Sequence, residues 1–193
     1  MKSISVSDVL NLYEYEKLRD GRRREIIELK ARRRVQVGRY LSFVFENRAT
    51  VLFQIQEMCR TERIVDESKI AEEVDVYSSL LPGSGELVAT MMIEITESAE
   101  IKPVLDKLLG IDTRDYVRLE VGRHRIPAVF ETGRSDEERS KLSAVHFVRF
   151  PVPPEARRIF RDAEVALMVE HPNERARTVL ADATTQSLAE DLA

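Results

Sequence analysis

Six side chains have the types and placing to do chemistry: Glu46, Arg48, Gln54, Glu57, Glu62 and His171. Five of them fall in one stretch, Glu46 to Ile64, where Val51, Leu52, Ile55, Met58 and Cys59 recur at helical spacing. One face of this segment is therefore expected in the core. Glu62 falls at the end of that apolar stripe, and Gln54 and Glu57 flank it. A carboxylate or amide beside a buried face must be paired, hydrogen-bonded or protonated. Left unsatisfied it costs about 1–3 kcal/mol, and more when charged. Two chemistries meet that demand. Arg48, Arg60 and Arg63 lie within the segment and can neutralise the acids as plain ion pairs. Alternatively, Glu46, Glu57, Glu62 and His171 supply oxygen and nitrogen ligands for a metal, small-molecule or proton-transfer site assembled from distant positions. The sequence leaves the identity of any metal or cofactor open.

No motif assigns a catalytic residue, and whether the protein is an enzyme stays open. The histidines are His124, His146 and His171, with no Glu-x-x-His, His-Glu-x-x-His or Cys-x-x-Cys spacing around them. His146, between Val145 and Phe147, reads as an ordinary sheet histidine. His124 opens a hairpin strand, and His171 precedes Pro172 at a turn where its ring can bond loop backbone. Cys59 is the one cysteine, so no internal disulfide forms, and a thiol beside a buried stripe reads as inert packing. Gly83-x-Gly85 is too short for a phosphate loop, and no dinucleotide fingerprint or Walker motif is present.

A second group of residues is defined by charge. Between Lys17 and Arg39 stand ten basic and three acidic residues, a net of +7 in a chain of net −4. Arg22, Arg23, Arg24, Arg32, Arg33 and Arg34 surround the narrow stripe of Ile26, Ile27 and Leu29, forming an anion- or partner-binding face. The plainer alternative is a solvated helix whose arginines pair with acids elsewhere. Glu67, Glu72, Glu73 and Asp75 offer such a mate, within the chain or across a homodimer. Nucleic acid is the weaker reading, since no aromatic side chain is interleaved with the arginines and no helix-turn-helix pattern appears.

The elements that must position these residues follow from periodicity. Ser5 with Asp8 resembles a capping box for a first helix, interrupted at Asp20-Gly21 before a second helix from about Arg22 to Arg34. Val35–Val37 and Tyr40–Glu46 read as a hairpin closed by Gly38-Arg39. The central helix follows, then one capped by Asp66 or Ser68 and carrying Ile70, Val74, Tyr77 and Leu81. Beyond Pro82-Gly83-Ser84-Gly85 the pattern turns extended, with strands at Glu86–Ile95, Tyr116–Val121, His124–Phe130, Leu142–Phe150, Val165–Glu170 and Arg175–Leu180. A helix over Ile101–Leu108 and a short helical turn after Pro154 interrupt them.

The expected fold is α+β, a helical N-terminal half packed on a mainly antiparallel C-terminal sheet. It forms one domain over 1–193: a helical lobe of about 1–81, a sheet-rich lobe of about 86–181, and a terminal helix over 182–193 that frays. Hydrophobic residues at 43% and charged residues at 33% indicate a soluble protein. The N-terminus lacks a signal-peptide core and no apolar run spans a membrane, so a cytoplasmic location is expected.

The runs Glu46-Asn47-Arg48, Thr50-Val51, Phe53-Gln54-Ile55-Gln56-Glu57-Met58, Leu81-Pro82, Gly85-Glu86-Leu87, Ala89-Thr90, Ile93-Glu94 and His171-Pro172-Asn173, with Glu62, carry a resemblance. The chain resembles the bacterial domain of unknown function 3501 from about Val9 to Leu180. Glu174 departs from the tyrosine that often follows Asn173 in that family. The resemblance implies no activity. Members tend to be encoded beside rubrerythrin-like di-iron proteins and iron–sulfur oxidoreductases, which implies an accessory or adaptor in redox or oxidative-stress chemistry with a redox protein partner. Such a protein would dock through the basic helix and the surface around His171.

Overall fold

A computed structural model describes residues 3–131, 133, 135, 136 and 141–192. Met1, Lys2 and Ala193, at the ends of the expected domain, lie outside the described residues. The chain forms helices α1 (Leu12–Arg32), α2 (Arg48–Glu62), α3 (Glu67–Ser78), α4 (Ile101–Lys107), α5 (Pro154–Ile159) and α6 (Asp182–Asp191). Its strands are β1 (Arg34–Val37), β2 (Leu41–Glu46), β3 (Glu86–Ile93), β4 (Val117–Val121), β5 (His124–Pro127), β6 (Val129–Phe130), β7 (Ser135–Asp136), β8 (Lys141–Leu142), β9 (Val145–Pro151), β10 (Val165–His171) and β11 (Glu174–Val179).

All strand pairings are antiparallel, and the fold is α+β. A five-stranded sheet runs β1-β2-β3-β9-β6, a four-stranded sheet runs β11-β10-β4-β5, and β7 pairs with β8 as a ribbon. Period-two alternation decides which residues lie between the sheets. Phe43, Phe45, Leu87, Met91, Val148 and Phe150 of the larger sheet meet Leu119, Leu167 and Val169 of the smaller in one buried core. The other face of the larger sheet is covered by helices. Val51, Ile55 and Cys59 of α2 cluster with Val74 and Leu80, and Phe147 of β9 packs against that cluster.

Several elements differ from the sequence expectation. Asp20-Gly21 does not break the first helix: α1 is continuous over 21 residues. An internal glycine costs only about 1 kcal/mol, and strong helix formers on both sides propagate through it. The Ser5–Asp8 capping box forms, but it closes a single 3-10 turn at Val6–Asp8, while α1 starts later with Asn11 as its N-cap. The β1–β2 loop holds three residues rather than two, Gly38 to Tyr40, with Gly38 at φ 66°.

The terminal helix, expected to fray, is docked. Leu188 and Ala189 of α6 are buried in the inter-sheet core. Arg33, 1% exposed, donates to Ser187 of α6 at 3.0 Å through its hydroxyl and pairs with Asp191. Burial raises the Asp191 carboxyl above its ordinary range, and Arg33 offsets only part of that.

Candidate functional site: two clefts flanking helix α1

The N-cap of α2 is Asn47, whose side chain accepts from the amides of Ala49 and Thr50 at 3.0 and 3.1 Å. Its C-terminus is closed by Arg63 in the left-handed conformation at φ 55°. Between those caps the polar residues of α2 separate into different environments.

Glu57 is held by neighbours. Its carboxylate accepts from Arg19 at 2.8 and 2.9 Å and from the Tyr15 hydroxyl at 2.7 Å, with Arg60 at 3.6 Å. The Arg19 hydrogen bonds hold its carboxyl below the usual range, while the Tyr15 hydroxyl is pushed upward by burial and by Glu57. Glu57 therefore anchors α1 onto α2. Its ion pairs are with Arg60, inside the segment, and more closely with Arg19, outside it.

Glu62 is exposed rather than at the end of a buried stripe, because the core face of α2 ends at Cys59. It acts at a distance on the Cys59 thiol, which burial pushes up, with Glu73 and Glu62 adding to the shift. Such a thiol is a poor nucleophile. Gln56 has a role that the alternation did not disclose. It is 4% exposed; its amide accepts from Leu10 N at 2.8 Å and donates to Leu10 O at 2.9 Å. It thereby pins the segment before α1 as a neighbouring strand would.

His171 lies apart from α2, at the turn between β10 and β11. It is 3% exposed, reaches Leu109 O at 3.2 Å, accepts from Asn173 N at 3.3 Å and meets the Tyr116 ring edge-on at 4.8 Å. The surface expected around it is thus a packed turn, and Glu57, Glu62 and His171 do not converge. Among the described residues no group of three or more His, Cys, Asp or Glu side chains could hold a metal ion.

The arginine face also divides. Arg33 is the buried clamp on α6, so it does not belong to an exposed face. Arg34 opens β1 and pairs with Glu94. Arg22, Arg23, Arg24 and Arg32 are exposed and form no ion pair among the described residues. The acidic outer face of α3 is not their mate: α3 packs on α2, and among the described residues no ion pair joins it to α1.

A cleft lies on each flank of the second half of α1. The first, about 620 Å³, lies between α1, the start of α2 and the Asp8–Leu10 segment. Leu10, Ile26, Leu29, Leu52 and Phe53 line it with apolar surface, and Arg22, Arg32 and Arg48 bring cations to it. Acids line it too, yet two are occupied. Asp8 accepts from Arg48 at 2.5 Å and Asp191 from Arg33, which leaves Arg22 and Arg32 against Glu25 alone. The hydrogen bond from Ser5 N, then that from Arg48, keeps Asp8 below the ordinary carboxylate range. The second cleft holds Glu46 and Gln54, on the side facing β2, β3 and β9.

Sequence spacing gave no hint of one further cluster. Asp112, its side chain 4% exposed, accepts from the Ser135 hydroxyl at 2.7 and 2.6 Å and lies 3.6 Å from His146 Nδ1. The other ring nitrogen of His146 reaches Ser143 O at 2.7 Å. Carboxylate, hydroxyl and imidazole are all present, but the hydroxyl bonds to the carboxylate. Among the described residues Ser135 makes no hydrogen bond to a histidine, the contact that activates a serine nucleophile.

These features define an α+β protein of two stacked antiparallel sheets with a helical cover that leaves apolar-lined clefts carrying a few charged groups beside α1. The chain belongs to the family described as "Protein of unknown function (DUF3501)", whose model matches residues 3–192. It is similar in structure to a novel protein of unknown function from Burkholderia pseudomallei K96243, with 30% identity, a TM-score of 0.91 and coverage of 100% of both chains. No curated protein matches the sequence.

Proposed function

We propose that this protein binds a small organic anion with an apolar body in the cleft between α1 and α2. The observation that supports this most directly is the pairing of an apolar-lined space of about 620 Å³ with Arg22 and Arg32, which form no ion pair among the described residues. A pocket that combines apolar walls with a few charged groups binds ligands of matching amphipathic character. The N-terminal amides of α2 add little, because Asn47 already consumes two of them. Decanoate is a suitable probe, with decanol as the uncharged control. Decanoate binds and decanol binds about tenfold more weakly or worse; Arg22→Gln and Arg32→Gln each weaken decanoate about tenfold, a loss of about 1.4 kcal/mol. Equal binding of acid and alcohol, or full affinity in both variants, overturns the proposal.

A second reading, the accessory or adaptor role, is supported by the same lack of ion pairs, among the described residues, for Arg22, Arg23, Arg24 and Arg32. In it α1 docks an acidic redox protein, and the interaction weakens as salt rises. Pull-down at low and moderate salt tests it: recovery of no redox protein at either condition removes this reading.

A further inference from the structure

Beneath the last two turns of α1, on the flank away from the decanoate-sized cleft, lies a second cavity of about 570 Å³. Its walls include Ile27, Val44, Met92, Val145 and Phe147. Set among them are an acid, Glu46, an amide, Gln54, and a base, Lys30.

Glu46 is 3% exposed, and its two oxygens accept from the hydroxyls of Thr50 at 2.5 Å and Thr90 at 2.7 Å. Those bonds offset part of the desolvation cost of a carboxylate, but hydroxyls carry no countercharge. Among the described residues no ion pair reaches the Glu46 carboxylate, although Lys30 faces the same cavity. Arg34, also on the wall, is engaged by Glu94. An acid and a base that share an apolar cavity without joining are complementary to a ligand that carries both charges itself.

We infer that this cavity binds an α-amino acid with a branched aliphatic or aromatic side chain. Its ammonium group sits on Glu46 beside Thr90, whose hydroxyl has donated to the carboxylate and still has lone-pair capacity to accept, whereas the Thr50 hydroxyl already accepts from Asn47 N at 2.9 Å. Its carboxylate faces Lys30, and its side chain lies against Val44, Met92 and Phe147. Gln54 carries both a donor and an acceptor and can serve either end of the ligand. This site is independent of the anion cleft, whose cations lie on the other flank of α1.

Calorimetric titration of the full chain with L-phenylalanine and L-leucine tests the inference. 3-Phenylpropionate, lacking the amine, and phenethylamine, lacking the carboxylate, are the controls. The amino acids bind, and each singly charged analogue binds at least about tenfold more weakly, because a missing charge leaves its buried partner unanswered. Glu46→Gln and Lys30→Met each weaken L-phenylalanine about tenfold and leave decanoate affinity as in the parent. Should Glu46→Gln not fold, Lys30→Met at the cavity wall carries the test. Absence of binding by both amino acids, or binding of the two analogues as tight as that of L-phenylalanine, overturns it, whatever decanoate does.

Discussion

Glu57 and Gln56 stand side by side on α2, and both serve as fasteners. Glu57 ties Arg19 and Tyr15 of α1, and Gln56 ties the backbone of Leu10. The Glu57 link has a pH signature. Its carboxyl is held below the ordinary 4.5, chiefly by Arg19, so the folded state binds its proton less readily than the unfolded chain. That stabilisation is complete above 4.5 and is lost as pH falls through the lower folded value. Arg19→Met therefore lowers the urea midpoint at pH 7, and the gap to the parent closes progressively below 4.5, as denaturation series across pH will show. A gap independent of pH would assign the effect to packing instead. That polar groups on α2 need partners was legible from its apolar stripe. Which groups had partners was not, since Arg19 and Leu10 are 38 and 46 residues distant. Glu62 departs from expectation for a local reason: the last turn of α2 projects past the core, and the stripe extended to Glu62 runs into solvent.

At the scale of the element, α1 is the part that organises the clefts. Tyr15 and Ile26 are its buried residues, while Leu18 and Ile27 are about half exposed, so its second half spans open space instead of lying on a packed face. The break expected at Asp20-Gly21 rests on residue type alone. Gly21 in fact sits in a continuous helix where an added Cβ meets nothing within 4 Å. Gly21→Ala accordingly stabilises the protein by about 1 kcal/mol in chemical denaturation, through helix propensity and the narrower unfolded ensemble. A neutral or destabilising result would mean that α1 is bent or opened at that point in solution. Hairpins were easier to read than helix ends. Gly38 and Gly122, at φ 66° and 54°, close β1–β2 and β4–β5 where the alternation reverses. By contrast, the pairings of β2 with β3 and of β3 with β9 are long-range and leave no trace in local pattern.

For the whole molecule, Arg33 joins parts far apart in the chain. From the end of α1 it donates to Phe45 O of β2 at 2.8 Å and to Ser187 of α6, and it pairs with Asp191. Its place in the triplet Arg32-Arg33-Arg34 makes it resemble surface charge, because composition cannot distinguish a clamp from its neighbours. Truncation after Ala181 removes both α6 partners and the cover of Leu188. It leaves a buried guanidinium without its acid, and the cost is about 3–5 kcal/mol by denaturant titration. An unchanged midpoint would show that α6 is not docked. The strands β1 and β2 of the N-terminal part sit in one sheet with β3 and β9, so helical and sheet-rich lobes share hydrogen bonds. The split of charge, +7 in one segment of a chain of net −4, persists as an exposed basic stretch on α1 that no acid of α3 covers.

Amide chemical-shift mapping during a decanoate titration examines the α1–α2 cleft most directly. Saturable shifts centred on Leu10, Arg22, Ile26, Arg32, Ala49 and Leu52, abolished in the Arg22→Gln/Arg32→Gln double variant, are the predicted result. Shifts scattered over the surface, or none up to millimolar decanoate, would contradict it.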